Sequence, residues 1–454
     1  MERDHVTAEV HDTPALTQAG LEQLTHDAVR LAREQGASQA EAGASVESGL
    51  SLTVRLGEVE TLEYQRDRGL GITVYFGTRK GSASTSDFSA EALRETVRAA
   101  CSIARYTAED ACAGLADAAL MAKEFPDLDL DHPWDPDPDV VIDIARRCED
   151  AGRSYDARIE NSEGGSVTTH RGLRVYANSH GFVGGYPSTN YSITCALVGK
   201  SGEGMQRDYW YTVARDFYDL EAPEAVGRKA GERTVARLGA RRLSTRKAPV
   251  LYVPELARGL VGHYLAAMRG GSQYRRSSFL LEREGSRVFP DFVQFSERPL
   301  LPGALASASF DAEGVATYDK ELVDRGIAST YLLDSYSARK LKRQTTGHAG
   351  GVRNLMVKPG QLDYAALLRE MGTGLVVTEL LGQGVNGVTG DYSRGASGFW
   401  VEGGEIAYPV EEVTIAGNLK DIFMGLAAVG KDVDVRGAIQ TGSILVSEMT
   451  IAGE

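Results

Sequence analysis

One glycine-rich stretch near the end of the chain limits what this polypeptide can fold into. It opens on the apolar run Leu375–Leu381, whose β-branched and aliphatic side chains predict a buried strand. The glycines that follow recur every two to five residues: Gly382, Gly384, Gly387, Gly390, Gly395 and Gly398. Glycine at that density excludes a helix and allows positive φ or close backbone approach. We therefore expect tight loops on a sheet.

A hairpin is predicted directly after these loops. Gly398–Val401 has the composition of one strand, Glu402–Glu405 that of a turn, and Ile406–Val410 that of the returning strand. Two further strands are predicted over 412–415 and 443–449. The end of the chain is therefore expected to be rich in β-structure.

The same stretch contains a misleading motif. Gly382–Gly387 matches the G-x-G-x-x-G pattern of dinucleotide-binding loops, and Glu402 falls 20 residues after Gly382. Such a site needs a helix that opens at the loop, because the helix amides bind the pyrophosphate. The residues after Gly387 cannot form that helix, so we do not assign nucleotide binding.

Length and charge limit the domain count and the partners. A chain of 454 residues can bury a large core, and we expect a flexible tail over 1–20, an N-terminal α+β domain over 21–240 and a C-terminal β-rich domain over 248–454. The 63 Asp and Glu residues outnumber the 49 Lys and Arg residues, for a net charge of −14. An acidic surface repels phosphate backbones, so direct nucleic-acid binding is not expected.

The sequence favours a cytoplasmic protein without a membrane span. Its N-terminus is polar and acidic, unlike a signal peptide, and no uninterrupted apolar run is long enough to cross a bilayer. The four cysteines lack C-x-x-C spacing and are predicted to be reduced, structural thiols: Cys101, Cys112, Cys148 and Cys195.

The first half of the chain predicts helices on one face of an antiparallel sheet, an α+β sandwich-like arrangement. A first amphipathic helix is indicated by apolar residues at helical spacing from Leu21 to Leu31, and Ser89 is predicted to cap a second. Five short strands are predicted between these helices: Glu41–Ser48, Ser51–Leu56, Val59–Gln65, Leu70–Phe76 and Gly81–Ser86.

The middle of the chain contains a change of composition and the main predicted boundary. Phe125–Asp139 is rich in proline and aspartate and predicts a linker or an ordered surface loop. Asp139 is then expected to cap a helix over 140–153. A basic connector over 237–247 precedes a predicted strand at Ala248–Val253 and a helix at Glu255–Met268.

The sequence contains no H-E-x-x-H, G-x-S-x-G, complete phosphate loop or C-x-x-C motif. It does contain runs by which it resembles the TldE/PmbA branch of the TldD/TldE family, whose members are also called modulators of DNA gyrase. These runs are Phe310–Thr317, Tyr331–Leu341, Gly350–Leu355, Gly390–Trp400 and Val413–Asn418. The resemblance extends from about residue 20 to the end, and the last part of the chain makes it specific.

The resemblance implies that zinc chemistry has been lost here. The TldD branch is similar to a metallopeptidase with an H-E-x-x-x-H helix and a later cysteine as third zinc ligand. Aligned on His263, this chain has Arg258 in place of the first histidine and Gly259 in place of the glutamate, and no cysteine follows Cys195. A hydrolytic zinc needs three protein ligands and a base. We therefore expect no catalytic residues, metal or cofactor in this chain.

The resemblance implies a metal-free, non-catalytic subunit that pairs with a TldD-type zinc peptidase subunit and acts on unfolded or small peptides. Exposed sheet edges are expected to accept an extended peptide by main-chain hydrogen bonds. Candidate residues for the peptide cleft or the partner contact are Asn386, Tyr392, Ser393, Arg394, Phe399 and Trp400. Core packing is the alternative for the aromatic residues. A stand-alone hydrolase, a non-enzymatic regulator of DNA gyrase and self-association are left open.

Overall fold

The computed structural model describes residues 16–453 of the chain. Its helices are α1 (Gln18–Glu34), α2 (Ala90–Tyr106), α3 (Pro138–Arg153), α4 (Pro223–Ala236), α5 (Pro254–Met268), α6 (Gly270–Tyr274), α7 (Ser335–Lys340), α8 (Tyr364–Met371) and α9 (Leu419–Met424). Its first strands are β1 (Gln39–Arg55), β2 (Glu58–Phe76), β3 (Arg79–Thr85), β4 (Ile159–Asn178), β5 (Val183–Ser201) and β6 (Gly204–Ala214). The later strands are β7 (Arg246–Tyr252), β8 (Phe295–Glu297), β9 (Lys320–Asp324), β10 (Ile327–Ala328), β11 (Leu355–Val357), β12 (Gly374–Leu381), β13 (Asp391–Glu402), β14 (Glu405–Asn418), β15 (Leu426–Val429), β16 (Ile439–Gln440) and β17 (Ile444–Ala452).

The fold is α+β, as predicted, and the chain forms two compact units. Of the described residues, one unit comprises 16–49, 65–121 and 171–188, and the other comprises 50–64, 122–170 and 189–453. Most of the predicted tail over 1–20 lies outside the described residues. Among residues 16–453, no helix combines the length and the apolar character that crossing a bilayer requires.

The first sheet has the strand order β3-β2-β1-β4-β5-β6. In the first unit, α1 and α2 bury their apolar faces with strand residues such as Ile72 and Val74. In the second unit, α3 and α4 bury theirs with Leu52 and Leu197. Ser89 caps α2 through a hydrogen bond from the Ala92 amide, as predicted.

Two predictions for this half are wrong. The five predicted short strands are three longer ones, because β1 continues through Gly49 and β2 through Gly69. A glycine does not end a strand when neighbouring strands lie on both sides, as they do for β1 and β2. The cap of α3 is Asp137 rather than Asp139, since Pro138, which lacks an amide hydrogen, takes the first helical position.

The segment Phe125–Asp139 is an ordered loop, one of the two predicted alternatives. Leu128 and Leu130 are buried, and the Thr189 amide donates to the Leu130 carbonyl at 2.9 Å. Trp134 stacks on Phe217 with ring centroids 3.7 Å apart.

Buried thiols are present in both units, since Cys101, Cys148 and Cys195 are free and buried.

The later strands form a small sheet and a closed one. The small sheet has the order β10-β9-β8-β11-β16. The other has the order β14-β13-β12-β7-β17-β15, and an additional pairing of β14 with β17 closes it into a barrel. Closure satisfies backbone groups that an open edge would expose. Exposed edges for an added peptide strand are therefore fewer in the barrel than the sequence suggested.

Alternate residues of β7 and β12 pack into different cores. Val250, Tyr252 and Leu375 face the large core that contains α5. Leu251 and Val376 face a smaller core that contains α8. Both strands are thus buried on two sides, which explains the continuous apolar run of β12 up to Val377.

The predicted hairpin is present but longer than expected. β13 begins at Asp391, so Gly395 lies in the strand and not in a loop, while Gly398 lies in the strand as predicted. A Cβ atom on Gly398 would lie 1.8 Å from the Val376 carbonyl oxygen, so this glycine allows close strand pairing. Residues 382–390 contain no helix, in agreement with the rejection of a dinucleotide site.

Candidate functional site

Helix α5 carries the three positions that the resemblance singles out. It follows β7 directly, with Pro254 at its first turn, and buries Ala257, Leu260 and Val261 in the core of the second unit. Arg258 lies at the start of the second turn, and Gly259 and His263 lie on the less buried side of the helix.

The Arg258 guanidinium is held in place by three acceptors. Its Nε donates to the Glu255 carbonyl at 2.9 Å, one Nη to the Arg436 carbonyl at 3.2 Å, and the other to the Tyr211 hydroxyl at 3.1 Å. These acceptors come from α5, from the segment before β16 and from β6. Arg258 thus joins three parts of the second unit.

The surroundings of Arg258 are aromatic and ionic. The guanidinium of Arg436 lies 4.1 Å from the Trp210 ring centroid and 4.4 Å from that of Tyr211. Its Nε also donates to Asp434 at 2.9 Å. Arg233 pairs with Asp208 at 3.2 Å on the same side. Arg436 and Arg233 are thus matched by carboxylates, and Arg436 also by ring faces.

His263 lies next to the inner face of β13. Its ring is 6.0 Å from that of Tyr392, at an interplanar angle of 77°. Burial, together with the positive charge of Arg394, lowers the pKa of His263 below its usual value. The imidazole is therefore neutral near pH 7. Beside it, Gly259 and Gly262 leave open space, since a Cβ atom at either would have no neighbour within 4 Å.

The residues at these positions do not fit a zinc ion. Arg258 offers only donors, Gly259 offers no carboxylate, and the charge of Arg394 acts on the one histidine present. A cation here would meet like charge and a single nitrogen ligand, whereas zinc sites use at least three ligands. Within residues 16–453, no three His, Cys, Asp or Glu side chains are grouped so that they could hold a metal ion.

The candidate residues of β13 occupy different environments. Tyr392 is 2% exposed and fills the core, and Arg394 lies near His263 and Tyr392. Burial raises the pKa of Tyr392, so the phenol stays neutral. Ser393 is exposed on the opposite side, and its amide donates to the Gly384 carbonyl at 2.7 Å.

The remaining candidates are separated from His263. Asn386 is exposed and organises its own loop, since its Oδ1 accepts from the amides of Val388 and Thr389. Phe399 packs at the edge of the smaller core. Trp400 is 3% exposed in the large core, with its indole N–H donating to Glu402 at 3.1 Å. For Tyr392 and Trp400 the structure thus favours core packing, the alternative left open above.

Sequence reasoning missed a second polar site, built around Asp311, Glu297 and Glu313. The Asp311 carboxylate is 2% exposed and accepts three backbone hydrogen bonds, from Glu313, Val315 and Ala349, at 2.9 to 3.0 Å. These bonds make Asp311–Val315 a turn. The side chain of Asp311 therefore holds two loops together.

A buried ionic group lies in the same region. Glu297 is 1% exposed and accepts from the Arg353 amide at 2.6 Å, from His348 Nε2 at 2.9 Å and from Lys320 Nζ at 3.4 Å. Burial alone would raise the pKa of Glu297, but the hydrogen bond from His348 and the charges of His348 and Lys320 outweigh burial and lower it. Glu297 is therefore an ionised carboxylate inside the protein.

The pKa of the Glu313 carboxyl is shifted in the opposite direction to that of Glu297. Its Oε2 accepts from the Ser335 amide at 3.0 Å, at the start of α7. Burial, with the charges of Asp311 and Asp334 adding to it, raises the pKa of Glu313 to about 7, and Ser335 only partly offsets this rise. The short helix that begins at Ser335 is thus bonded to a carboxyl that titrates near neutral pH.

One signal in the sequence could have found this site. The runs Phe310–Thr317 and Gly350–Leu355 hold Asp311, Glu313 and Arg353 of this site, but they were used only for the family resemblance. Their acids are far apart along the chain from Glu297 and His348, and no short motif spans that distance.

Comparison with known proteins agrees with this architecture. Residues 40–104 match the sequence model of the PmbA/TldA metallopeptidase domain 1, residues 131–238 match that of the central domain, and residues 245–453 match that of the C-terminal domain.

The relatives are similar over nearly their whole length. The metalloprotease PmbA of Escherichia coli is 50% identical over 434 residues, which cover 96% of each chain. The metalloprotease PmbA homolog of Haemophilus influenzae is also 50% identical over 434 residues, covering 95% of this chain and 96% of its own.

Solved structures extend the likeness to the fold. A Bacteroides thetaiotaomicron protein described as a modulator of DNA gyrase superposes with a TM-score of 0.92 at 27% identity, over 97% of this chain and 100% of that one. TldE from Thermococcus kodakarensis, at 19% identity, has the same fold with a TM-score of 0.84, over 95% of this chain and 100% of that one. The chain therefore belongs to the PmbA/TldD metallopeptidase family.

Proposed function

We propose that this chain is the metal-free, non-catalytic subunit of a two-component peptidase whose zinc is held by a TldD-type partner. The observation that carries the proposal is the bonding of Arg258. Its guanidinium occupies the position of the first histidine in the H-E-x-x-x-H pattern and is committed to three acceptors. The position therefore serves to join α5, β6 and the segment before β16.

The remaining groups of that pattern support the same conclusion. Gly259 stands where the pattern has its glutamate base, and glycine has no carboxylate. No cysteine follows Cys195 to supply a third ligand. Hydrolysis by zinc needs a water activated by the metal and a base that takes its proton. This chain supplies neither group at α5, so its contribution to peptide hydrolysis is to bind and orient.

The outer side of α5 is the surface on which we place part of the peptide path. Gly259 and Gly262 leave room beside the neutral His263 ring, which can exchange hydrogen bonds with a peptide backbone. Arg394 adds a positive charge close by. An extended peptide could also add to the short edge strands β10 or β16 of the small sheet by main-chain pairing.

The test uses the purified chain, its TldD-type partner from the same genome, and the two combined. We expect no stoichiometric zinc in the lone chain by elemental mass spectrometry, and chelator-sensitive cleavage of an unfolded peptide only when both chains are present. One tightly held zinc in the lone chain, or cleavage by the lone chain, would contradict the proposal. The second result would instead support a stand-alone hydrolase.

A variant separates binding from catalysis in the complex. His263→Ala removes the one remaining residue of the metal pattern, and we expect zinc content and kcat of the complex to be retained, with any loss confined to KM. Loss of zinc from the complex with this variant would show that His263 is a ligand.

A second candidate function, regulation of DNA gyrase, comes from the names of two solved structures. The Bacteroides thetaiotaomicron protein and one from Thermotoga maritima are both described as modulators of DNA gyrase. Retention of purified gyrase by the immobilised chain, without any partner-dependent peptidase activity, would favour that regulatory function over the peptidase subunit.

A further inference from the structure

A cationic surface lies on this otherwise acidic chain. Residues 269–287 contain five arginines and two glutamates, and residues 331–343 contain four cations and one aspartate. Together the two spans carry a net charge of +6, whereas the whole chain carries −14. The rest of the chain therefore carries −20, so these two spans hold a local excess of positive charge.

The two spans form one surface because α6 packs against α7. The rings of Tyr274 and Tyr336 meet edge to face with centroids 5.9 Å apart. An ion pair between Arg343 and Glu284 joins the spans again, and the Arg343 guanidinium lies 5.1 Å from the Tyr331 ring. Side chains far apart in sequence thus contribute to a single face.

We call six of the exposed cations in these spans the basic surface: Arg269, Arg275, Arg276, Arg283, Lys342 and Arg343. Two other exposed cations are left out, because Arg287 pairs with Asp291 outside the spans and Lys340 lies 5.1 Å from the Tyr336 ring centroid. Arg276 pairs with Glu282 at 2.9 Å, and Arg343 pairs with Glu284. In the described part of the chain, the other four form no ion pair with a carboxylate. Arg275 is steadied instead by Tyr274, whose hydroxyl accepts from it at 2.8 Å.

The chemistry of these side chains favours carboxylate ligands. Arginine presents its donors as a planar fork that matches a carboxylate, and tyrosine rings beside it reduce the cost of ordering it. A single exposed ion pair contributes little, but several acting on one ligand add up. A long polynucleotide would also meet the −20 carried by the rest of the chain, whereas a short acidic segment would not.

We propose that the basic surface binds segments of extended peptides that are rich in Asp and Glu, and so selects such peptides. The inference rests on the proposed function only in taking the ligand to be a peptide. Binding is a property of this chain alone, so it is measured without the partner. Failure to associate with a TldD-type subunit would leave the measurement intact.

The experiment measures fluorescence anisotropy of two labelled decapeptides, one alternating Gly and Glu and the other alternating Gly and Gln. We expect the Glu peptide to bind the lone chain at least tenfold more tightly, and to lose affinity as salt rises. The variant with Arg269→Gln, Arg275→Gln, Arg283→Gln and Lys342→Gln is expected to lose that preference.

A matched variant controls for net charge alone. Arg94→Gln, Arg98→Gln, Arg228→Gln and Lys358→Gln remove four exposed cations elsewhere, and this variant should keep the preference. Equal binding of the two peptides, or an unchanged preference in the first variant, would overturn the proposal. Tighter binding of a single-stranded oligonucleotide of equal charge would do the same and indicate a nucleic-acid surface. Should the fourfold variant unfold, the single variants Arg275→Gln and Lys342→Gln must each weaken binding of the Glu peptide.

Discussion

Replacing Glu313 by Gln should change how the stability of the protein depends on pH. Glu313 is mostly buried, accepts a hydrogen bond from the Ser335 amide at 3.0 Å and lies near the carboxyls of Asp311 and Asp334. Gln is nearly isosteric and keeps an oxygen that can accept the same hydrogen bond. The variant therefore removes ionisation while leaving the packing largely intact.

The expected change in the free energy of unfolding follows from the pKa of Glu313, which rises from an ordinary value of 4.5 to about 7. At about 1.4 kcal/mol per pH unit, this rise corresponds to roughly 3 kcal/mol as an upper estimate. The folded state holds the proton more tightly than the unfolded state does. The contribution of Glu313 to the free energy of unfolding is thus fully present below pH 4.5 and is lost as pH rises through 7.

The assay is urea unfolding followed by tryptophan fluorescence between pH 5 and pH 8. Trp134, Trp210 and Trp400 all belong to the same compact unit as Glu313, so the signal reports on that unit. We expect Glu313→Gln to gain stability relative to wild type by up to about 3 kcal/mol across this range. The exposed Glu160→Gln should show a nearly constant difference from wild type.

A flat difference between Glu313→Gln and wild type, within about 0.5 kcal/mol over the whole range, would refute the reasoning. It would mean that the Glu313 carboxyl ionises as readily in the folded protein as in the unfolded chain.

Two further predictions concern positions with clear controls. Gly384→Ala should destabilise the protein by at least about 2 kcal/mol in urea unfolding, because its Cβ would lie 1.8 Å from the Ser393 carbonyl oxygen. Gly387→Ala, which meets nothing within 4 Å, should stay within about 0.5 kcal/mol of wild type, and equal effects of the two would disprove the packing argument. Arg258→Ala should cost roughly 1–3 kcal/mol, since three acceptors lose their donor. A melting temperature for Arg258→Ala no lower than that of the exposed control Arg228→Ala would show that the Arg258 bonds do not stabilise the protein.

Several features of the fold could be predicted because they depend on residues close together in sequence. Helical spacing gave α1 and α2, and the Ser89 cap needs only the next three residues. The hairpin of β13 and β14 follows from a short turn between two apolar runs. Strand ends were predicted less well, because β1 and β2 pass through glycines where their neighbours continue the sheet.

The candidate site was predictable only where a motif or a missing residue carried it. Arg258 and Gly259 could be identified as departures from a zinc pattern by sequence alone. The hydrogen-bond partners of Arg258 could not be predicted, because Tyr211 and Arg436 are 47 and 178 residues away along the chain. Likewise, alternation alone cannot tell whether Trp400 faces a core or a partner, since both are apolar surroundings.

The sequence by itself determined the family, the α+β class and which residues stand at the H-E-x-x-x-H positions of α5, since each depends on residue identity or short spacing. Tertiary structure decided which distant groups meet: Glu297 with His348, Glu313 with Ser335, and the segment around α6 with the segment around α7, through Tyr274 with Tyr336 and Glu284 with Arg343. The physical reason is that charge and burial act through space. The ionisation of Glu313 and the field of the basic surface depend on neighbours that only the folded chain brings together.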